Sequence, residues 1–566
     1  MKCKRLAAML LAGALSIFTL SGCFGIEIGT GGETASSPAV ICRVGTAQPL
    51  TGELFPGFDC SGADRDLQSL IHGAENVTVV AENTYAVNAS VISASSVTEG
   101  ADGSRTYTYT LAGGLFFSDG SPLTAKDYVF SVLLRSSEAY KELGGDNTAY
   151  RALSGYEAYA SGESAGFAGV RLLSDSKFSL TIDRDSLPSY QEMLLTQVYP
   201  LPMAVLAPDA ELTDDGSGAA ITGLTAESLR ETLEGAEGYR CYPTVTAGPY
   251  MLTGIEGGVY TLAVNPYYAG GYYKRQPSVK NMTVETADLS DGDAYDLIVG
   301  VTGKSDLDLA MKLLSADEMA GSLSYDSMVV SSLAFGDDVS AEIRQALSKM
   351  IDVQDASEQL AGHWGQEALG NIPLASSLYQ SSYGSLSQLR GGADPIGAEQ
   401  LLKKAGDGEP IVLTYAYDPK NAEAVAVLDI LKQADAQQSL LTIVPQQTTD
   451  PDIVVLADLH YEKVQYGKDW GPWVDLNGSS MEVAALDLQN TAYFPYSDRF
   501  GDKLLEFEEQ YLEQLPSLPL AVYEAYDLYG KRLIGYRDVN IYDDWTVWIQ
   551  YSRIVDLSTV RENTEG

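Results

Sequence analysis

The stretch from residue 394 to 433 constrains the fold most tightly. DPIGAEQLLKKAG (394–406) reads as a helix marked at both ends. Asp394 sits at the N-cap, Pro395 at the first helical position, Lys403 and Lys404 in the last turn, and Gly406 at the stop. Ala398, Leu401, Leu402 and Ala405 share one face. PIVLTYAYD (410–418) follows as a strand, and residues 421–433 return to helical periodicity. Each of these elements has an apolar side to bury, and helix–strand–helix alternation buries them as helices packed on a sheet. The spacing therefore predicts an α/β lobe. Upstream, Ile343, Ala346, Leu347, Met350 and Ile351 fall at i, i+3, i+4, i+7 and i+8, which predicts another amphipathic helix over 338–352.

The N-terminal half has a different texture. Residues 75–115 alternate or carry β-branched and aromatic side chains, as in NVTVV and RTYTYTL. GLFFSDGSPLTAKDYVFSVLLR (114–135) then runs apolar strand, polar turn, capped helix. Ser118 to Pro122 are turn formers, and Thr124 with Asp127 makes a capping box. Val129, Val132 and Leu133 form the buried helix face. Residues 145–165 read as loop, 169–182 as a hairpin, 199–208 as a proline-marked segment, and 246–271 as two strands around Gly257-Gly258. At 566 residues the chain exceeds one core and divides into two or three domains.

The first residues are a secretory signal: Lys2, Lys4 and Arg5, then an apolar run from Leu6 to Leu20. The ending Leu20-Ser21-Gly22-Cys23 resembles the lipobox of bacterial lipoproteins, which implies a signal over 1–22 and a lipid on Cys23. Residues 23–39 are Gly/Ser/Thr-rich and read as a flexible tether. Past the signal, nothing is long and apolar enough to span a membrane. The formal net charge of −41 argues against nucleic acid as a partner. Its dispersal along the chain reads as a solvated surface. Cys42, Cys60 and Cys241 remain for an exported protein, an odd number that allows one internal pair, with Cys42–Cys60 the favoured pairing. His72, His363 and His460 lie far apart and read as surface or cleft residues rather than metal ligands.

Four blocks in order resemble the family 5 extracellular solute-binding proteins, the oligopeptide- and dipeptide-binding lipoproteins of ABC importers. They are YTYTLAGGLFFSDGSPLTAKDYVFSV; TAGPYML with LAVNPYY; IRQALSKMIDVQDASEQLAGHWGQEALGNIP; and DPIGAEQLLKKAG. Together they span roughly residues 40–535. The resemblance implies an α/β fold of two lobes, like periplasmic binding proteins of type II, cluster C, with an extra inserted subdomain. Lobe I would comprise 40–75, 200–285 and 530–566; the subdomain 76–199; lobe II 286–529. The resemblance also implies capture of a peptide by hinge closure, delivery to the permease subunits of an ABC importer, a monomer held on the membrane through Cys23, and no enzymatic step. A metal chelate, haem, an oligosaccharide, or peptide sensing without transport stay open as alternatives. No cofactor is expected, and a calcium ion among the acids is left open.

In such relatives a late loop with tryptophan and aspartate pairs with the peptide's α-ammonium, because a buried ammonium needs a charged, hydrogen-bonded partner. Here the corresponding region, 452–480, departs from the family spacing. Asp475 is favoured as the anchor, then Asp469, with Trp470 and Trp473 as a wall. Tyr523, Phe55 and Phe58 are further cleft candidates, each equally readable as core. Asp119 and Asp127 read as turn and cap residues. Gly162-Glu163-Ser164-Ala165-Gly166 spells G-x-S-x-G, but lacks the apolar strand that a nucleophile elbow needs. H-E-x-x-H, a Walker A loop and G-x-G-x-x-G are all missing.

Overall fold

A computed structural model describes residues 40–235, 237–272, 274–467, 471, 481–489, 497–537 and 544–556. Cys23, Asp469, Trp470, Trp473 and Asp475 lie outside the described residues. The fold is mixed α/β. One sheet runs through the molecule in the order Tyr250–Glu256, Val259–Val264, Asn281–Thr286, Cys42–Thr46, Leu297–Val301, Ser517–Tyr529, Gly321–Phe335, Leu459–Gln465, Ile411–Tyr417 and Leu441–Gln447. A short strand, Gly365–Glu367, also pairs with Ser517–Tyr529.

Two long strands join its halves. Gly321–Phe335 and Ser517–Tyr529 pair antiparallel at Gly321–Asp326 with Glu524–Tyr529, and again from Val330 with Val522. The register shifts between Asp326 and Val330. The first segment belongs with Leu297–Val301, and the second with Leu459–Gln465. Ser327 stitches the break: its hydroxyl donates to the Tyr523 carbonyl at 2.7 Å and accepts from the Val329 amide at 3.2 Å. This break separates two hydrophobic clusters. One holds Val44, Leu67, Met282, Val284 and Trp548; the other holds Leu333, Leu347, Leu402, Tyr415, Leu431 and Phe507.

A third cluster gathers the inserted subdomain around the four-stranded sheet Ile92–Glu99, Arg105–Leu111, Lys177–Ile182, Val170–Ser174. Leu201, Leu229, Tyr239 and Ala247 bury there too, beside Phe55 and Phe58, while Arg240 pairs with Glu53, so residues 201–247 pack on both the subdomain and the start of the chain.

The local signals explain the elements. Ala125–Leu134 is a helix whose capping box joins Thr124 and Asp127, and Asp127 also accepts from the Met203 amide at 3.3 Å. Asp119 accepts from Ser121 inside the turn. Ser118 and Thr246 exchange hydrogen bonds of 2.8 and 3.1 Å, docking that turn on the T-A-G-P-Y segment. The polar turn is thus framework. Pro395–Ala405, Ile411–Tyr417 and Ala422–Asp435 stand as the sequence predicts. The expected loop at 145–165 contains a short helix, Tyr156–Ala160.

Two expectations are corrected. Cys42 and Cys60 are both free, so the favoured disulfide does not form; Cys42 opens a core strand and is fully buried. His72 and His460 are buried, not on the surface. Burial pushes the His72 imidazole down to about 4, and its ring bonds the Leu54 carbonyl. Among the described residues no helix is long and apolar enough to cross a membrane.

Candidate functional site

Parallel strands end where their next helices begin, and those ends collect the backbone and side-chain polar groups that bind ligands in open α/β sheets. Here the ends of both lobes meet. After Leu297–Val301 the chain turns at Thr302-Gly303 into the helix Lys304–Ser315. After Ile411–Tyr417 it turns into Ala422–Asp435, whose first turn carries Glu423. Lys463 stands on Leu459–Gln465, two residues from Tyr461 and from Gln465 and so on the same face as both.

Lys463 Nζ bonds both Glu423 carboxylate oxygens, at 2.8 and 3.1 Å, and donates to the Thr302 carbonyl at 3.3 Å. It also lies 4.7 Å from the centre of the Tyr523 ring. The Tyr523 hydroxyl donates to Ser331 Oγ at 2.8 Å. Gly303 takes φ +88°, and a Cβ there would come 2.5 Å from Glu423 Oε1. Only glycine lets the first lobe approach the ion pair this closely. Burial pushes the hydroxyls of Tyr461 and Tyr523 well above the usual phenol range, with Glu423 adding to both. Burial also raises the nearby Asp306 carboxyl, against the pull of Lys463. The floor between the lobes is therefore a desolvated polar cluster in which one ammonium serves two lobes.

Farther out, a Cβ on Gly62 would lie 2.4 Å from Gln48 Oε1 and 2.7 Å from Gln465 Oε1. The start of the helix Gly62–Ile71 and the end of Leu459–Gln465 are thus in contact across the lobes. Tyr466, at the start of the segment leading to residues 468–480, donates to Asn371 at 2.8 Å. The candidate site is this interlobe face. A cavity of about 380 Å³ lined by Gln354, Glu358, His363, Glu367 and Tyr383 belongs to the second lobe alone and does not bridge the two.

Of the sequence candidates, Tyr523 falls in the polar cluster. Phe55 and Phe58 do not: both are buried with Tyr140 and Tyr239, and Arg240 stacks 3.7 Å over Phe58. Ser164 donates to Gly166 of its own loop at 2.7 Å. His363 lies against Trp364, and His460 bonds Glu462 at 3.2 Å, so no histidine is drawn to Ser164. Sequence reasoning missed Glu423, Lys463, Gly303 and Gln465. The available signal was position: Glu423 opens a predicted helix directly after a predicted strand.

Comparisons with known proteins bear on the family and the fold. The model of the bacterial extracellular solute-binding proteins, family 5 Middle, matches residues 92–453, more than half of the chain. The chain belongs to this family. Among solved structures, the Bacillus subtilis oligopeptide-binding protein AppA in complex with a nonapeptide is 14% identical, with 92% of this chain and 99% of that one covered and a TM-score of 0.66. Haemophilus influenzae OppA in complex with RPPGFSPFR is 14% identical over 92% of this chain and 100% of its own, at a TM-score of 0.63. NikZ from Campylobacter jejuni in complex with Ni(L-His) is 15% identical, covering 91% of this chain and 100% of that one, with a TM-score of 0.62. Among curated proteins none matches this sequence. As a member of an extracellular solute-binding family, the chain is a two-lobed solute-binding protein.

Proposed function

We propose that this protein captures peptides between its lobes outside the cytoplasm and delivers them to the permease subunits of an ABC importer, with no catalytic step of its own. The observation that carries the reading is the pair of strands, Gly321–Phe335 and Ser517–Tyr529, that joins two lobes whose polar strand ends face each other. Such a joint permits hinge closure around a ligand. Peptide-bound relatives of the same fold support a peptide rather than a chelate as the ligand. The rest of the reading comes from the sequence: export by residues 1–22, a lipid on Cys23, a tether to residue 39, and a monomer that needs no cofactor. Asp475, with Asp469 second, takes the peptide's ammonium, and Trp470 and Trp473 form a wall. In our division of the chain, lobe I holds about 40–75, 248–320 and 530–566, because Leu297–Val301 pairs with Cys42–Thr46; the subdomain runs to about 247, and lobe II covers about 321–529 rather than starting at 286.

Thermal-shift screening of the mature chain tests this, with di- to octapeptide pools beside nickel–histidine, haem and oligosaccharides. A ligand that binds only the folded state raises the melting temperature. The expected result is a shift with peptides that Asp475→Ala or Asp469→Ala abolishes. A shift with a chelate or sugar alone would overturn the substrate and keep the binding role.

A further inference from the structure

The inserted subdomain reaches the second lobe directly. Its hairpin, Val77–Ala81 and Thr84–Val87, turns through Glu82 and Asn83, with Asn83 at φ +54°. The Glu82 carboxylate accepts from Ser376 Oγ at 3.1 Å and from the Ser377 amide at 3.0 Å. These two residues start the 14-residue helix Ser377–Arg390. The first amides of a helix lack partners within it. Ser376 supplies one partner, accepting from the Leu378 amide at 3.3 Å. Glu82, 295 positions away in sequence from Ser377, supplies another. A carboxylate is the favoured group there, because the helix dipole is positive at this end. The helix start is itself tied to the break in the long strands, since the Ala375 amide donates to the Ser327 carbonyl at 3.1 Å.

A second patch lies alongside. The Ser189 hydroxyl meets the Gln489 carbonyl at 3.4 Å, Arg151 meets the Gln489 side chain at 3.4 Å, and Tyr190 packs edge-on against Phe500 at 5.7 Å. These contacts are longer or apolar. Arg151 also pairs with the half-exposed Glu482 at 3.9 Å. The Glu82 bonds, at 3.0 and 3.1 Å, are the short charge-assisted contacts on this face, the stronger and more directional kind.

We propose that Glu82 is a closure clasp: a carboxylate on the inserted subdomain that caps a helix of the second lobe when the lobes close and so sets how long a captured solute is held. This rests on the hinge-closing reading above. It gives the subdomain a role in retention separate from contact with the solute. Two variants on opposite sides test it. Glu82→Gln removes the charge. Ser377→Pro removes the amide donor and suits the first position of a helix, and Ser376 before it is already extended at φ −77°, ψ 131°. Small-angle scattering of the mature, ligand-free chain reads the closure, and stopped-flow release of a bound peptide reads retention. Each variant is expected to raise the ligand-free radius of gyration and to speed release about tenfold with the on-rate unchanged. The double variant is expected to do no more than either single one. Identical scattering in all three variants and the parent overturns the clasp, as does full additivity in the double. If the parent binds no peptide at all, the peptide reading falls and the scattering arm still decides the clasp.

Discussion

At the residue scale, the buried charges carry the sharpest consequences. Glu508 is 1% exposed, and its Oε2 has no hydrogen-bond partner. Burial pushes its carboxyl up to about 8, against the pull of Arg390, whose own Nη atoms donate to Ala368 and Pro519 carbonyls. A raised carboxyl means that the folded state holds a proton the unfolded state has lost. Stability therefore falls as pH climbs from about 4 to about 8, and the cost stays constant above that. Glu508→Gln removes the proton from the balance. In urea unfolding, the loss of stability between pH 5 and pH 8 is expected to shrink by a few kcal/mol in this variant. Part of the slope should remain, because burial also raises Asp527 to about 6. An unchanged slope would mean that Glu508 is ionised throughout. The Lys463–Glu423 pair gives a second expectation. Both side chains are mostly buried, at 17% and 15% exposure. Lys463→Met should cost about 3 kcal/mol by stranding Glu423, and adding Glu423→Gln should restore much of it. Equal stability of the single and double variants in urea melts would count against a desolvated pair. Neither effect was legible in the sequence. Lys463 and Glu423 are 40 positions apart, and only the pairing of Leu459–Gln465 and Ile411–Tyr417 within one sheet brings them together. Tyr523, Phe55 and Phe58 were each equally readable as core; all three are buried, Tyr523 beside the polar cluster and the two phenylalanines away from it.

At the scale of the element, helices announced themselves and the hinge did not. Thr124 with Asp127, and Asp394 with Pro395 and Gly406, are local chemistry, so their ends could be read from a few residues. The strand GSLSYDSMVVSSLAF hides its pattern. Its first half alternates between exposed and half-buried, while its second half is buried nearly throughout, so neither period 2 nor a long apolar run stands out. The serines that mask it are structural. Ser327 is 4% exposed and bridges the register break by donating to one strand and accepting from its own. Ser327→Ala leaves the Tyr523 carbonyl and the Val329 amide without that partner. The expected cost is about 1–2 kcal/mol, read as a shift of the urea midpoint. Hydrogen exchange at Met328 to Val330 should rise with it. A variant with unchanged midpoint and exchange would show that the break is held by strand pairing alone.

For the whole molecule, the governing quantity is the imbalance of 77 acidic against 36 basic residues. Pairs such as Arg171–Asp214, Arg240–Glu53 and Lys463–Glu423 neutralise acids locally. They leave a large dispersed excess that repels itself across each lobe and, on closure, between lobes. Screening separates the two contributions. Between 0.01 and 0.15 M salt the Debye length falls from about 30 to about 8 Å. Repulsion between distant surface acids is then largely lost, while buried pairs at about 3 Å keep their strength. The melting temperature is therefore expected to rise by several degrees over this range, and the ligand-free radius of gyration to fall as the lobes approach more freely. A melting temperature that drops with salt would mean that close ion pairs, rather than net charge, dominate the long-range balance. A rise in melting temperature with no change in radius would confine the repulsion to within the lobes. In that case closure would be governed by the interlobe contacts alone, among them Lys463 with Thr302 and Glu82 with Ser377.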